Sequence, residues 1–308
     1  DRAAAERGIA VIRGLFKQAE ARGSLTPAEA HKMMGGIGVT TTLEDFDMCD
    51  LVIEAIVENV EVKQKLYAEL SQVMAPGCVF ASNTSALPLE DLAAKATNPG
   101  RFIGLHFFNP VGRMPLVELV LGKETTRATA ERALAFVKSL GKTPVVCRSS
   151  PGFLVTRVMF FYLNEACRLW EQGVPTEAID RALHEWGWPM GPMRLIDEVG
   201  VDVTDFIFGE MQHYFPDRFT RTTITQRLLA GRVELVTGVG LPDEDHRGRQ
   251  RQRQQQSGDD GAQTDAPAPG ARRLGSRDVG LGSTVVGGGG AVLVVGLPVR
   301  HRRRRALL

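Results

Sequence analysis

Apolar residues recur at helical spacing over the first 22 positions, with Ile9, Ile12, Leu15, Phe16 and Ala19 on one face, which predicts a helix there. Thr26-Pro27-Ala28-Glu29 carries the elements of a capping box with proline at the first helical position, so a second helix starts there and stops at Gly35-Gly36. The period then shortens. Residues 37–41 read as a short strand, and 50–56 as a longer one whose apolar, β-branched run suits a strand covered on both faces. Val62, Leu66, Leu70 and Val73 restore helical spacing over 61–75, and Pro76-Gly77 turns the chain into a strand at 78–82. A short helix (89–96), strands at 102–106 and 117–120, a helix at 128–140 and a strand at 144–147 continue the alternation.

Strands alternating with helices predict an α/β fold, a Rossmann-like doubly wound parallel sheet with helices on both faces. After Ser149-Ser150-Pro151-Gly152 the pattern turns wholly helical, with a strongly apolar stretch at 153–171, a shorter helix at 176–185 and more helix over 195–214. The division is therefore an α/β domain over 1–148 and an all-helical domain over 149–231. Beyond Phe219 there is no aromatic residue, and the chain runs through RQRQQQSGDDGAQTDAPAPG (251–270), GGGG (287–290) and RRRR (302–305). Basic and acidic residues number 24 and 28 up to Gly231 but 13 and 8 from Arg232 onward. Such a composition buries too little apolar area to offset chain entropy, so 232–308 is expected to be a disordered or out-of-frame tail. Its apolar patch AVLVVGLPV (291–299) is expected to be too isolated to build a core.

The whole chain, 308 residues with a net charge of +1, gives no electrostatic case for nucleic acid as partner. No apolar run approaches the roughly 20 residues of a membrane-spanning helix. Cys49, Cys78, Cys147 and Cys167 have no CxxC spacing, the histidines are scattered and no GxxxxGK[ST] occurs, so no metal site or phosphoryl-transfer loop is expected. The expectation is a cytoplasmic protein.

Ligands of doubly wound sheets bind at the carboxyl ends of the strands. Three polar clusters fall there: 54–63, Ser82-Asn83-Thr84-Ser85, and 106–109. Each alone has a plainer reading. Glu58 and Lys63 suit a surface ion pair, the Ser-Asn-Thr-Ser run suits a turn rich in capping residues, and His106 suits a satisfied strand-end histidine. Together they point to a nucleotide and substrate cleft.

Six ordered segments resemble the 3-hydroxyacyl-CoA dehydrogenase family: VIEAIVENVEVKQKL (52–66), ASNTSALPL (81–89), GLHFFNPVGRMPLVELV (104–120), KTPVV (142–146), PGFLVTRV (151–158) and WGWPMGPMRLIDEVGVD (186–202). The wording is most similar to the dehydrogenase part of the bacterial fatty-acid oxidation complex α-subunit. The resemblance implies oxidation of an (S)-3-hydroxyacyl-CoA to the 3-oxoacyl-CoA by NAD in fatty-acid β-oxidation. Hydride leaves carbon 3 only as the hydroxyl proton is removed, so the reaction needs a base. By resemblance His106 is that base, and Glu118, twelve residues on, is its orienting carboxylate. The resemblance also makes Ser85 and Thr156 substrate contacts, and Ile56, Val57, Glu58, Lys63, Ser85 and Asn109 cofactor contacts. It implies an acyl-CoA substrate, with a second copy of the chain or a thiolase subunit as protein partner.

The sequence departs from the family in three ways. It contains no G-x-G-x-x-G, since Gly36-Ile37-Gly38 is followed by Thr at position 41 and Gly280-Leu281-Gly282 lies in the tail. The expectation is that the first βαβ unit is missing and that this chain binds NAD poorly. Thr156 stands where the family pattern has asparagine. The Gly238–Pro242 stretch lacks the family's aromatics, which fits a frameshift near Arg232. Two other readings stay open: a non-catalytic fragment or binding and assembly module of a multifunctional β-oxidation enzyme, and a short-chain 3-hydroxybutyryl-CoA dehydrogenase.

Overall fold

A computed structural model describes residues 2–231, 284–287 and 292–297. The described chain divides into two units, one of residues 2–157 with the two segments at 284–287 and 292–297, the other of residues 158–231. The first unit begins with helices α1 (Arg2–Ala21) and α2 (Pro27–Gly35). α2 starts as its sequence demands: the Thr26 and Glu29 side chains each take the other's backbone N–H.

Six strands follow, β1 (Val39–Thr40), β2 (Leu51–Ala55), β3 (Val79–Ser82), β4 (Phe102–Phe107), β5 (Leu116–Leu121) and β6 (Thr143–Arg148). Helix α3 (Val60–Val73) links β2 to β3, α4 (Leu89–Ala93) precedes β4, and α5 (Arg127–Ser139) precedes β6. The predicted strands lie where the sequence pattern puts them, with ends shifted by a residue or two. β2, β3 and β4 run parallel, as do β5 and β6, whereas β4 and β5 are antiparallel neighbours across a turn.

The expectation of a structureless tail is corrected at two places. Thr284–Gly287 and Val292–Leu297 form strands β7 and β8, giving the sheet order β1-β7-β8-β2-β3-β4-β5-β6. β8 lies antiparallel along β2, from Leu51 opposite Leu297 to Ala55 opposite Leu293. Without β8 the edge of β2 would leave backbone donors and acceptors unpaired, and a short β-branched run supplies their partners. The rest of the tail lies outside the described residues.

The sheet's side chains alternate between two cores. Val52, Phe80, Phe102 and Val120 face Tyr67 and Leu70 of α3 and Leu89 and Leu92 of α4. Leu51, Val79, Ala81, Ile103, Leu105, Val117 and Leu119 face Ala133 and Val137 of α5. That is the doubly wound arrangement, and its period of two fixes which strand-end residues share a face.

The second unit holds most of α6 (Val155–Glu171), then α7 (Thr176–Trp186), α8 (Pro192–Val199), α9 (Val201–Tyr214) and α10 (Ile224–Leu229). Phe160, Leu163, Cys167, Ile179, Phe208, Met211 and Phe219 fill its core. The helical stretch expected over 195–214 is divided at Gly200, whose φ of +104° ends the first of two helices.

Candidate active site

The polar strand-end residues lie on one face of the sheet. Glu54 is opposite Ser82 in the β2–β3 register, Ser82 is opposite Gly104, and His106 is opposite Glu118 across the antiparallel β4–β5 pair. Counting in twos away from that end, back along β2, β3 and β4 and forward along β5, reaches Val52, Phe80, Phe102 and Val120, residues of the α3-side core. Gly104 sits in the middle of this row. A Cβ there would come within 2.8 Å of the Val120 Cβ, so only glycine lets β4 and β5 approach closely beside the histidine.

His106 Nδ1 and Glu118 Oε2 are 2.7 Å apart, and both side chains are buried. The other oxygen, Oε1, accepts the backbone N–H groups of Leu154 and Val155, each at 3.0 Å. These N–H groups belong to the first turn of α6, whose leading donors have no partner within the helix. The carboxylate thus stands at a helix N-terminus, where negative charge is favoured. Burial pushes the Glu118 carboxyl up, but the bond from His106, the His106 charge and the two backbone N–H groups outweigh it and leave the group below its ordinary value. A carboxylate facing Nδ1 makes that nitrogen the proton-bearing one, so Nε2 is the nitrogen free to accept a proton. Phe108 and Phe153 pack on the imidazole, with ring centroids 4.5 and 5.9 Å away.

A second constellation lies at the ends of β2 and β3. Lys63 of α3 reaches Glu54 Oε1 and Oε2 at 3.0 and 2.9 Å, the Ile56 carbonyl at 3.4 Å and Glu58 Oε2 at 3.2 Å. Its side chain is only 1% exposed, so the plain reading of a surface ion pair is set aside. Glu58 Oε1 accepts from the Thr84 hydroxyl and from the Ser85 N–H at 2.8 Å. Asn83 Oδ1 accepts the Phe107 N–H at 2.9 Å, tying the β3 end to β4.

The structure brings Glu58, Lys63 and Ser85 into one hydrogen-bonded cluster and His106 and Glu118 into another. Ile56 gives its N–H to Glu54 Oε2, Val57 is exposed beside it, and Asn109 is exposed just after β4. Thr156 is buried in the first turn of α6, next to Val155. The resemblance leaves out Glu54, Tyr67, Ser82 and Thr84, all of which bond within this cluster. The sequence held one signal for Glu54: a charge inside an apolar strand. Among the described residues no group of His, Cys, Asp and Glu side chains is arranged to hold a metal, and no helix is long and apolar enough to cross a membrane.

The donor set suits a dinucleotide. A partly exposed carboxylate, hydroxyls and an exposed amide at the carboxyl edge match the ribose hydroxyls and carboxamide of a nicotinamide nucleotide.

Comparison with known proteins identifies the family. The family model described as 3-hydroxyacyl-CoA dehydrogenase, NAD binding domain, matches residues 1–150, and the C-terminal domain of the same family matches 152–243. FadB2 of M. tuberculosis is similar at 37% identity over 75% of this chain and 83% of its own, with a TM-score of 0.72. (S)-3-hydroxybutyryl-CoA dehydrogenase PaaH1 from Ralstonia eutropha matches at 32% identity, the same coverages and a TM-score of 0.72. A 3-hydroxybutyryl-CoA dehydrogenase from Escherichia coli matches at 37% identity over 77% of this chain and 52% of its own, with a TM-score of 0.71.

Proposed function

The chain belongs to the 3-hydroxyacyl-CoA dehydrogenase family and is an NAD-dependent oxidoreductase of hydroxyacyl-CoA, and from that premise we propose that His106 is its base and Glu118 the carboxylate that orients it. The carrying observation is the 2.7 Å contact between Nδ1 and Oε2. With Nδ1 committed to Glu118, Nε2 takes the proton of the 3-hydroxyl while the C3–H electron pair leaves as hydride and the C=O bond forms. NAD+ supplies the acceptor for that hydride. The imidazolium that results is held beside a buried carboxylate, which stabilises it as positive charge develops.

Glu58, with Ile56, Val57, Ser85 and Asn109, forms the cofactor edge of the site, and Lys63 contributes by holding Glu58. Ser85 and Thr156 face the substrate side. Thr156 offers one O–H where the family pattern has an amide. We place the reaction in fatty-acid β-oxidation in the cytoplasm, a reducing compartment suited to four free thiols. A second copy of the chain or a thiolase subunit is the protein partner in this reading. A short-chain substrate is the second reading, favoured by the two 3-hydroxybutyryl-CoA dehydrogenases among the similar structures.

The test is NADH formation by the full-length gene product with (S)-3-hydroxybutyryl-CoA and with a long-chain homologue. His106→Gln is expected to lower kcat about 10²–10⁴-fold, the range of a lost general base. Turnover surviving that substitution would remove His106 from the role. Absence of turnover with either substrate would favour a non-catalytic module. The ratio of kcat/KM for the two substrates decides between the chain-length readings.

A further inference from the structure

Glu54 is fully buried, yet it is the most heavily bonded carboxylate at the carboxyl edge of the sheet. Oε1 accepts from Tyr67 Oη at 2.6 Å, from the Ser82 hydroxyl and from Lys63 at 3.0 Å, while Oε2 accepts from Lys63 at 2.9 Å and from the Ile56 N–H at 3.1 Å. Its backbone carbonyl also receives the Asn83 N–H at 2.9 Å. The donors come from a strand, a helix and a loop, so the carboxylate is where β2, β3 and α3 are fastened together.

We propose that Glu54, with Tyr67 and Ser82 as its donors, is a positioning residue for cofactor binding: it fixes the Lys63 ammonium, which fixes Glu58 and through it the Thr84–Ser85 backbone. The inference rests on the reading of Glu58 as a cofactor contact.

Lysine is a compact charge on a flexible four-carbon stem, and a partly exposed pair between it and Glu58 alone would be weak and mobile. The two contacts to Glu54 remove that freedom. A buried ammonium released from one buried carboxylate would remain desolvated without compensation, so the ion has no good second position. Glu58 is then oriented at both oxygens, Oε2 by Lys63 and Oε1 by Thr84 and Ser85, while its side chain stays 27% exposed at the edge. Tyr67 is equally fixed. Its ring meets Phe80 and Phe102 edge to face at centroid distances of 4.7 and 5.1 Å. Burial, then the neighbouring Glu54 charge, pushes its phenol well above the ordinary value, so it remains a donor. A buried network in which every oxygen has donors is stiff and does not rearrange by halves.

The test is a double-mutant cycle in the full-length gene product, reading kcat and the KM values for NAD+ and for hydroxyacyl-CoA separately. Glu58→Gln and Glu54→Gln are each expected to raise KM for NAD+ about tenfold, and Tyr67→Phe about threefold, with KM for hydroxyacyl-CoA unchanged. The double variant Glu54→Gln with Glu58→Gln is expected to be no worse than the poorer single one, because both break the same chain of contacts. If Glu58→Gln leaves KM for NAD+ where it was, the reading of Glu58 fails. If Glu58→Gln raises it but Glu54→Gln and Tyr67→Phe do not, the positioning role is overturned. Effects that multiply in the double variant, or a fall in kcat together with rises in both KM values, also overturn it, since these are marks of general structural damage. Should Glu54→Gln fail to fold, Tyr67→Phe, which keeps the ring packing, completes the same cycle with Glu58→Gln.

Discussion

Glu118→Gln separates orientation of the base from its presence. The carboxylate accepts three hydrogen bonds, one from His106 at 2.7 Å and two from the backbone of Leu154 and Val155 at 3.0 Å. Glutamine has the same shape but one acceptor and one donor group. If its oxygen stays on the α6 N–H groups, its NH₂ faces His106 Nδ1, and the ring must move its proton to Nε2 to accept that bond. Nε2 is then no longer a base. If the oxygen turns to His106 instead, the NH₂ faces two N–H groups. The second choice leaves buried donors facing each other, and the first replaces a carboxylate acceptor by a neutral amide and forces the other tautomer, so either costs about 1–3 kcal/mol of stability. The first choice also lowers kcat about 10²–10⁴-fold, as in other base–orienter pairs that lose the correct tautomer. The assay is kcat at saturating NAD+ and hydroxyacyl-CoA beside urea unfolding, with KM for NAD+ expected to stay within about threefold because the cofactor edge is untouched. The pH dependence carries a sign. The Glu118 carboxyl lies lower in the folded protein than its ordinary value of 4.5, so its contribution to stability is full above that pH and is lost as pH falls through the lower folded value. The stability gap between the parent and Glu118→Gln should therefore be widest near neutral pH and close in acid. A variant that keeps kcat within tenfold of the parent, with no loss of stability, would refute the orienting role.

Other predictions bear on the frame. Gly104→Ala should destabilise the first unit by about 1–3 kcal/mol, an overpacking cost, and should lower kcat by displacing His106 two residues on; thermal melting and steady-state rates check both. In the second unit, Asn164 donates to the Thr220 carbonyl at 2.9 Å and accepts from the Thr222 N–H and hydroxyl at 3.1 and 3.2 Å. Asn164→Ala should cost about 2–3 kcal/mol in urea unfolding, because buried partners are left unpaired, while the His106–Glu118 contact is unaffected. Thr156→Asn restores the amide of the family pattern and should raise kcat/KM for hydroxyacyl-CoA; an unchanged value would mean that the threonine hydroxyl already serves the substrate.

The pairing of His106 with Glu118 was legible because the chain between them reads as a turn joining two strands, and an antiparallel register then places them opposite each other. The burial of Lys63 was not legible. Helical spacing places it only one turn from Asn59, and the sequence alone does not say that α3 packs its first turn over the ends of β2 and β3. The break at Gly200 was missed because apolar spacing runs through it in register, while a left-handed φ depends on where α8 must stop. α10 was missed for the opposite reason: six residues with three polar side chains show no period, and they are held by the burial of Ile224, Thr225 and Leu228. β7 and β8 were missed because composition averages over a stretch, whereas pairing needs only a few β-branched residues beside an open edge.

A buried carboxylate is tolerated only where donors converge on it, and the doubly wound fold brings such donors to one end of its sheet. Loops and helix starts gathered at that end carry N–H groups with no partner of their own. Glu54 takes the Ile56 N–H and a lysine from the first turn of α3; Glu118 takes the leading N–H groups of α6. The two carboxylates then differ in what else they hold. Glu54 is closed by an ammonium, a phenol and a hydroxyl, which suits it to anchoring. Glu118 has an imidazole as its remaining partner, the one side chain there that can take up a proton and release it again. The alternation of the strands puts both on the same face, so the His106–Glu118 pair and the Glu58 cluster share one rigid support.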